Sequence, residues 1–107
     1  MSDMAANQES IGRSRVLATL RDHSSEIRSY GVSHLLLFGS VCRDEAGTES
    51  DVDLFFDFDD PRFSAVELLR LKDRVEEMLS RPVDLMTRSS LHPRLRNDIE
   101  QSALQVF

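Results

Sequence analysis

One cysteine, Cys42, stands in a chain of 107 residues. That excludes an internal disulfide framework, and because His23, His34 and His92 show no paired spacing with it or with one another, no zinc motif is formed. No apolar run is long enough to cross a bilayer or to serve as a secretory signal, so no membrane association is expected and the cytoplasm is the default location. Prolines number three and glycines four, and they fall singly at the ends of patterned segments, leaving no interior linker, repeat or low-complexity tract. Basic residues are outnumbered as well, with 13 Lys plus Arg against 19 Asp plus Glu and a net charge of −6. A chain of that sign is not drawn to phosphate backbones or anionic lipid, so direct binding to nucleic acid is not expected. The length predicts one domain, with room for a core of three or four strands and no room for a second domain to hold a substrate.

What is present is an alternation of elements. Residues 1–9 have little periodicity and read as a loose N-terminus, followed by one domain over 10–107. From about Ser10 to Tyr30 the apolar positions Ile11, Val16, Leu17, Leu20 and Ile27 recur at helical spacing, with Gly31 where a left-handed cap is expected. "VSHLLLF", Val32 to Phe38, predicts a buried strand. Ser40 to Ala46 predicts a short helix capped by Ser40 and closed by Gly47, and "GTES" a turn. "DVDLFFDF" alternates, placing Val52, Leu54, Phe56 and Phe58 on one side and Asp51, Asp53, Phe55 and Asp57 on the other. Pro61 is expected to open a long amphipathic helix ending near Ser80, its stripe formed by Val66, Leu69, Val75, Met78 and Leu79 with Leu68 and Leu71 on the flank. "PVDLMT", Pro82 to Thr87, predicts a third strand, "HPRLRNDIEQSA" a last helix and "LQVF" a short final strand.

The acids in the second strand pose an energetic problem. A carboxylate in a partly buried sheet costs several kcal/mol unless it is neutralised, and two on one face about 7 Å apart also repel each other. A divalent cation relieves both costs. Mg²⁺ takes hard oxygen ligands and bridges one or two carboxylates to substrate phosphates, which suits phosphoryl or nucleotidyl transfer. Gly39 and Ser40 fit that chemistry, since glycine lets backbone approach a phosphate and a serine at a helix start offers a hydroxyl and free N–H groups. Asp84, set in the same "VDL" context as Asp53, would join the site if the third strand lies beside the second. Asp57 should lie about 13 Å along the strand from Asp53 and, with Asp59 and Asp60, reads as a solvated strand exit. Arg43 is placed one turn into the short helix, where it either contacts phosphate or faces solvent. Lys72 and Arg74 read as a solvated helix face, and Cys42 as a small packing residue.

The run "GSVCRDEAGTESDVDL" resembles the G-S-x10-D-x-D signature of the DNA polymerase beta-type nucleotidyltransferase superfamily, with ten residues, Val41 to Ser50, between Ser40 and Asp51. The short chain, the segment Cys42-Arg43-Asp44, the third acid in "PVDLM" and the terminal "HPRLRNDIEQSALQVF" look like the minimal nucleotidyltransferases, or MNT proteins. Asp44 stands where many relatives have glycine and Cys42 where alanine is common, and neither change removes a proposed ligand. The resemblance implies an α/β (α+β) polymerase beta-like fold, a small mixed sheet of three to four strands with flanking helices, and a cleft where two Mg²⁺ ions hold ATP. It implies that Gly39 and Ser40 hold the terminal phosphates, that Asp51 and Asp53 bind metal, and that Asp84 binds the catalytic metal and favours deprotonation of the incoming hydroxyl. It also implies a partner, a HEPN-type ribonuclease toxin encoded nearby, for which family members act as antitoxin, some by transferring AMP to a tyrosine of the toxin. A domain without its own acceptor pocket is expected to acquire one from such a partner, in a hetero-oligomer.

Three function classes follow: a nucleotidyltransferase that modifies a protein partner, an antitoxin that neutralises its toxin by binding alone, and a small-molecule transferase that shares the motif. Length counts against the third, because an acceptor pocket of its own would need an additional domain. An acid cluster left without a cation would be a liability in a pure binding module, which favours the first.

Overall fold

The computed structural model describes residues 12–45 and 51–107. The helical periodicity expected over 10–30 is interrupted, giving α1 (Arg13–Asp22) and α2 (Ser24–Arg28), while Ser10 and Ile11 lie outside the described residues. The break is at His23, with φ −103° and ψ 16°. Asp22, His23, Ser24 and Ser25 are weak helix formers, and the His23 ring nitrogen Nδ1 lies 2.8 Å from the Thr19 carbonyl, competing with the backbone ladder. Val16, Leu20 and Ile27 are nonetheless fully buried, so both pieces turn their apolar face to one core. Gly31, at φ 104°, ends the helical segment as its position predicts.

Among the described residues four strands form one sheet: β1 (Val32–Phe38), β2 (Val52–Phe58), β3 (Val83–Thr87) and β4 (Leu104–Gln105), in the order β3-β2-β1-β4. Strand β1 pairs antiparallel with β2 and β4, whereas β2 and β3 are parallel. Past the end of β4 the pairing continues, with the Val106 N–H donating to the Leu35 carbonyl at 2.8 Å and the Leu35 N–H to the Phe107 carbonyl at 3.2 Å. A parallel pair needs a crossover, and the long helix, the fourth among the described residues, supplies it over Ala65–Leu79. It starts four residues after Pro61. Asp60 and Pro61 are taken up by a turn in which the Phe63 N–H donates to the Asp60 carbonyl at 3.0 Å and the Arg62 N–H to the Asp60 carboxylate at 2.9 Å.

The core lies between this crossover helix, α1 and the sheet. Leu35, Leu37, Leu54 and Phe56 come from the sheet, and Leu71 and Val75 from the helix, all fully buried. The expected stripe is rotated. Leu68, Met78 and Leu79 join Leu71 and Val75 at the core, but Val66 and Leu69 are 56% and 61% exposed. At 3.6 residues per turn Val66 falls about 180° from Val75, so the two cannot share a face. Phe58, expected on the core side, is 42% exposed at the strand end and stacks on Phe63 with ring centroids 4.9 Å apart. Phe55, on the acidic side, is fully buried beneath the Arg88 guanidinium, 4.9 Å from its ring centre, and beside Phe38 at 5.7 Å. After β3 come a 3-10 turn (Arg88–Ser90) and a final helix over Arg96–Ser102. That helix starts later than expected because the His92–Leu95 segment forms its own turn, with the Leu95 N–H donating to the His92 carbonyl at 2.9 Å.

Candidate functional site

The parallel register pairs Asp53 of β2 directly with Asp84 of β3. Neighbouring strands lie about 4.8 Å apart, so the two carboxylates stand side by side on the sheet face opposite the core, and Asp51 precedes them by one pleat. Asp53 is half-buried, while Asp51 and Asp84 are exposed. Burial raises the affinity of Asp53 for a proton, the negative charges of Asp84 and then Asp51 raise it further, and the positive charge of Arg43 opposes them. The charged form of Asp53 is thus disfavoured by its surroundings, a cost that positive charge nearby would relieve.

Across the other edge of β2, Asp53 faces Phe38, and the chain leaves β1 through Gly39 at φ +78°. A Cβ on Gly39 would lie 2.1 Å from Asp53 Oδ2 and 3.0 Å from its Cγ. Only a glycine allows the turn to touch the carboxylate in this way, and its backbone also requires the left-handed region. The short helix is α3 (Gly39–Cys42), and Phe38 occupies its N-cap position with no side-chain cap bond. Ser40 thus lies inside the first turn and is not the cap, because Gly39 has already adopted helical pairing. The rest of the turn is closed by backbone bonds from Arg43 to Gly39 (3.1 Å), Asp44 to Val41 (3.0 Å) and Glu45 to Ser40 (2.8 Å). Ala46, Gly47 and the "GTES" turn lie outside the described residues. Arg43 is exposed and paired with Glu45 at 2.9 Å, so its guanidinium divides between Glu45 and the field at Asp53. Cys42 is buried and its thiol donates to the Ser102 carbonyl at 3.5 Å, which agrees with a packing role.

Asp57 is not the solvated exit that its spacing suggested. Both of its oxygens accept from Arg88 at 2.8 Å, and Arg88 also donates to Glu100 at 2.8 Å. The guanidinium holds the Asp57 carboxyl below the usual aspartate range. No sequence pattern announces this cluster, since Arg88 reaches Asp57 over 31 positions. Asp59 is exposed. Arg74 is not a free surface charge either: it binds the Glu26 carboxylate and Glu77, at 3.1 Å, joining α2 to the crossover helix. Lys72 pairs with Glu76 at 3.3 Å, and Glu76 accepts the Val83 N–H at 2.9 Å, fixing the entry to β3 and hence the height of Asp84. Among the described residues, no three His, Cys, Asp or Glu side chains close into a ready-made metal cage.

Residues 17–106 match the family model described as Nucleotidyltransferase domain. The chain is 33% identical over 88 residues to the protein adenylyltransferase MntA of Thermococcus cleftensis, covering 81% of this chain and 88% of that protein. A solved structure provisionally described as a minimal nucleotidyltransferase is 35% identical, covers 82% of this chain and 93% of its own, and superposes with a TM-score of 0.67. The fold is also shared by the complex of a tri-AMPylated Shewanella oneidensis HEPN toxin with its MNT antitoxin, at 17% identity, a TM-score of 0.61 and coverage of 85% and 71% of the two chains. A parallel β2–β3 pair, a glycine turn seated on its acid and a match over nearly the whole chain lead to one assignment: the chain belongs to the nucleotidyltransferase-domain family, among the minimal nucleotidyltransferases, and is an enzyme of that class.

Proposed function

We propose that this chain transfers AMP from Mg²⁺-ATP to a hydroxyl, that of a tyrosine, on a HEPN-type partner toxin in a cytoplasmic hetero-oligomer, and so acts as its antitoxin. The observation that carries the reading is the Asp53–Asp84 pair in register, with Gly39 pressed against Asp53. The AMP carried by the HEPN toxin in the Shewanella oneidensis complex supports a protein as acceptor, and a fold shared with a toxin–antitoxin complex holding AMP-PNP supports ATP as donor. That complex is 18% identical, with a TM-score of 0.66.

The donor set suits Mg²⁺. Asp51, Asp53 and Asp84 offer hard oxygens, and the proton affinity of Asp53, raised by burial and like charge, is what a nearby dication would reverse. A site without a closed cage is suited to an ion that draws its remaining ligands from substrate phosphates and water. When bound, two Mg²⁺ ions would offset charge on the attacking and leaving oxygens of an in-line displacement at the α-phosphorus.

Within that frame the chain's own residues divide the work. Asp51 and Asp53 hold the metal-triphosphate end. Gly39 and Ser40 present backbone N–H groups and a hydroxyl toward the terminal phosphates, with Arg43 beside them. Asp84, on the adjacent strand, takes the proton from the incoming hydroxyl as its oxygen attacks phosphorus and pyrophosphate leaves.

The test is to incubate the full chain with labelled ATP, Mg²⁺ and the protein encoded beside it, and to locate added mass. One or more AMP units on a tyrosine of the neighbour are expected. Tight binding without transfer would favour neutralisation by contact alone, and AMP on a small molecule a different acceptor class. Asp84→Asn should keep nucleotide affinity within a few-fold while the rate falls by roughly 100-fold or more. Transfer at the parental rate would make Asp84 a structural strand residue.

A further inference from the structure

Helix α1 begins at Arg13 with Gly12 as its N-cap. Glycine has no side chain to accept the free N–H groups of a first turn. The acceptor comes from elsewhere: Asp44 Oδ1 takes the Arg13 backbone N–H at 3.2 Å, across 31 positions of sequence. A second bond runs the other way, from Arg13 Nη1 to the Cys42 carbonyl at 3.1 Å. Asp44 sits at φ 61°, a left-handed conformation that side chains other than glycine enter at a cost. The same residue closes the turn that starts at Gly39, through its own N–H to Val41.

We infer that Arg13 and Asp44 form a latch that holds the Gly39–Asp44 turn against the start of α1, and that both are positioning residues for Gly39 and Ser40. The inference rests on the reading of that turn as the cradle of the ATP phosphates. Its physical content is pre-organisation. The turn is four helical residues long, too short to hold its shape alone. With one side anchored to a ten-residue helix and the other pressed on Asp53, its N–H groups are already oriented before nucleotide arrives, and binding does not pay for ordering them. The carboxylate of Asp44 also lies at the positive end of α1, where negative charge is favoured.

The discriminating variant is Asp44→Gly in the full chain, because glycine accepts the left-handed conformation without strain and removes the side chain that bonds Arg13, adding only the backbone freedom that any glycine brings. Mg²⁺-ATP affinity by calorimetry should fall about fivefold to tenfold, the loss expected when an ordered binding loop must be organised by its ligand. Amide exchange at Arg43, residue 44 and Glu45 should speed up by about tenfold as the turn opens locally. Asp44→Asn retains the acceptor oxygen and should stay within about twofold of the parent in both measurements. Parental affinity with faster exchange confined to the first turn of α1 would make Asp44 a helix cap only, and overturns the latch. Failure of the functional reading looks different: the parent itself would then bind no Mg²⁺-ATP, and the proposal falls with it.

Discussion

At the residue scale, Asp53 carries a conflict between stability and chemistry. Its folded proton affinity is raised, chiefly by burial and then by Asp84 and Asp51. A carboxyl raised in this sense favours the fold below the unfolded aspartate value of about 3.9, and that contribution is lost as pH rises through the folded value. At neutral pH the ionised side chain opposes folding. Asp53→Asn should therefore melt higher than the parent in the absence of ligand, while losing the further stabilisation that Mg²⁺-ATP gives a protein that binds it. Melting curves at pH 7 with and without Mg²⁺-ATP decide this, and a variant that melts lower yet keeps its ligand shift would show that Asp53 is a structural acid. Gly39 is the counterpart. Gly39→Ala should cost about 2 kcal/mol or more, from the left-handed backbone and from a methyl that must displace Asp53. In an Asp53→Ala background the clash with Oδ2 and Cγ is removed and only the contact with the residue 53 Cβ, at 3.2 Å, is left, so the cost should fall toward the roughly 1 kcal/mol of the backbone. A denaturant titration of the double-mutant cycle measures the difference, and equal costs in both backgrounds would mean that the two residues do not touch.

At the scale of elements, the crossover helix positions the site from behind. It lifts β3 into parallel register with β2, and Glu76 near its end bonds the Val83 N–H at 2.9 Å, so the helix sets where Asp84 stands. The helix ends at Ser80 with φ 55° and ψ 37°, a left-handed cap that glycine fills without strain. Ser80→Gly should raise stability by about 0.5–1 kcal/mol despite the greater freedom of the unfolded chain, because the left-handed penalty for a side chain exceeds that entropy. Urea unfolding tests it, and a loss of stability would show that the Ser80 side chain makes a contact worth more than its strain. This end of the helix was legible from the sequence, since the periodicity stops at "SRP". Its beginning was not, because Pro61 and Asp60 compete to form a turn that looks identical, in one dimension, to a helix start. The exposure of Val66 follows from helix geometry alone, since it lies about 180° from Val75, whereas for Leu69 the packing against α1 and the sheet decides.

For the whole molecule, ion pairs draw distant segments together on an otherwise small core. Arg88 joins β2 to the final helix through Asp57 and Glu100, and Arg74 joins α2 to the crossover helix through Glu26. Asp57 is held below its ordinary range first by hydrogen bonds from Arg88, and Glu100 and Glu26 likewise by their arginines. A carboxylate depressed in the fold gives stability that is present above its unfolded pKa and disappears as pH falls through the folded value. The protein should thus lose stability progressively below about pH 4, where free carboxylates begin to protonate. Arg88→Met should lower stability at pH 7 by about 1 kcal/mol through the Asp57 pair, a figure discounted for its partial exposure, and the gap from the parent should close at acid pH. Chemical unfolding from pH 7 to pH 3 checks both; a gap independent of pH would assign the loss to packing of Arg88 on Phe55 in place of charge.

The sequence alone determined the identity of the strands, the side of β2 on which the acids lie and the spacing of Gly39, Ser40, Asp51 and Asp53, because each follows from a local rule: alternation along a strand, glycine at a turn, a fixed count of residues between two motifs. The tertiary structure decided what depends on separate segments meeting. Whether Asp84 faces Asp53 is a matter of strand register across a crossover of more than twenty residues, and the closeness of Gly39 to Asp53 depends on how β1 pairs with β2. The capture of Asp57 by Arg88, and of the Arg13 backbone by Asp44, joins positions 31 apart whose types are ordinary in themselves. A side chain's charge is written in the sequence, but its partner is chosen by the fold, because an ion pair or hydrogen bond acts over a few ångströms of space and is blind to the length of chain between its ends.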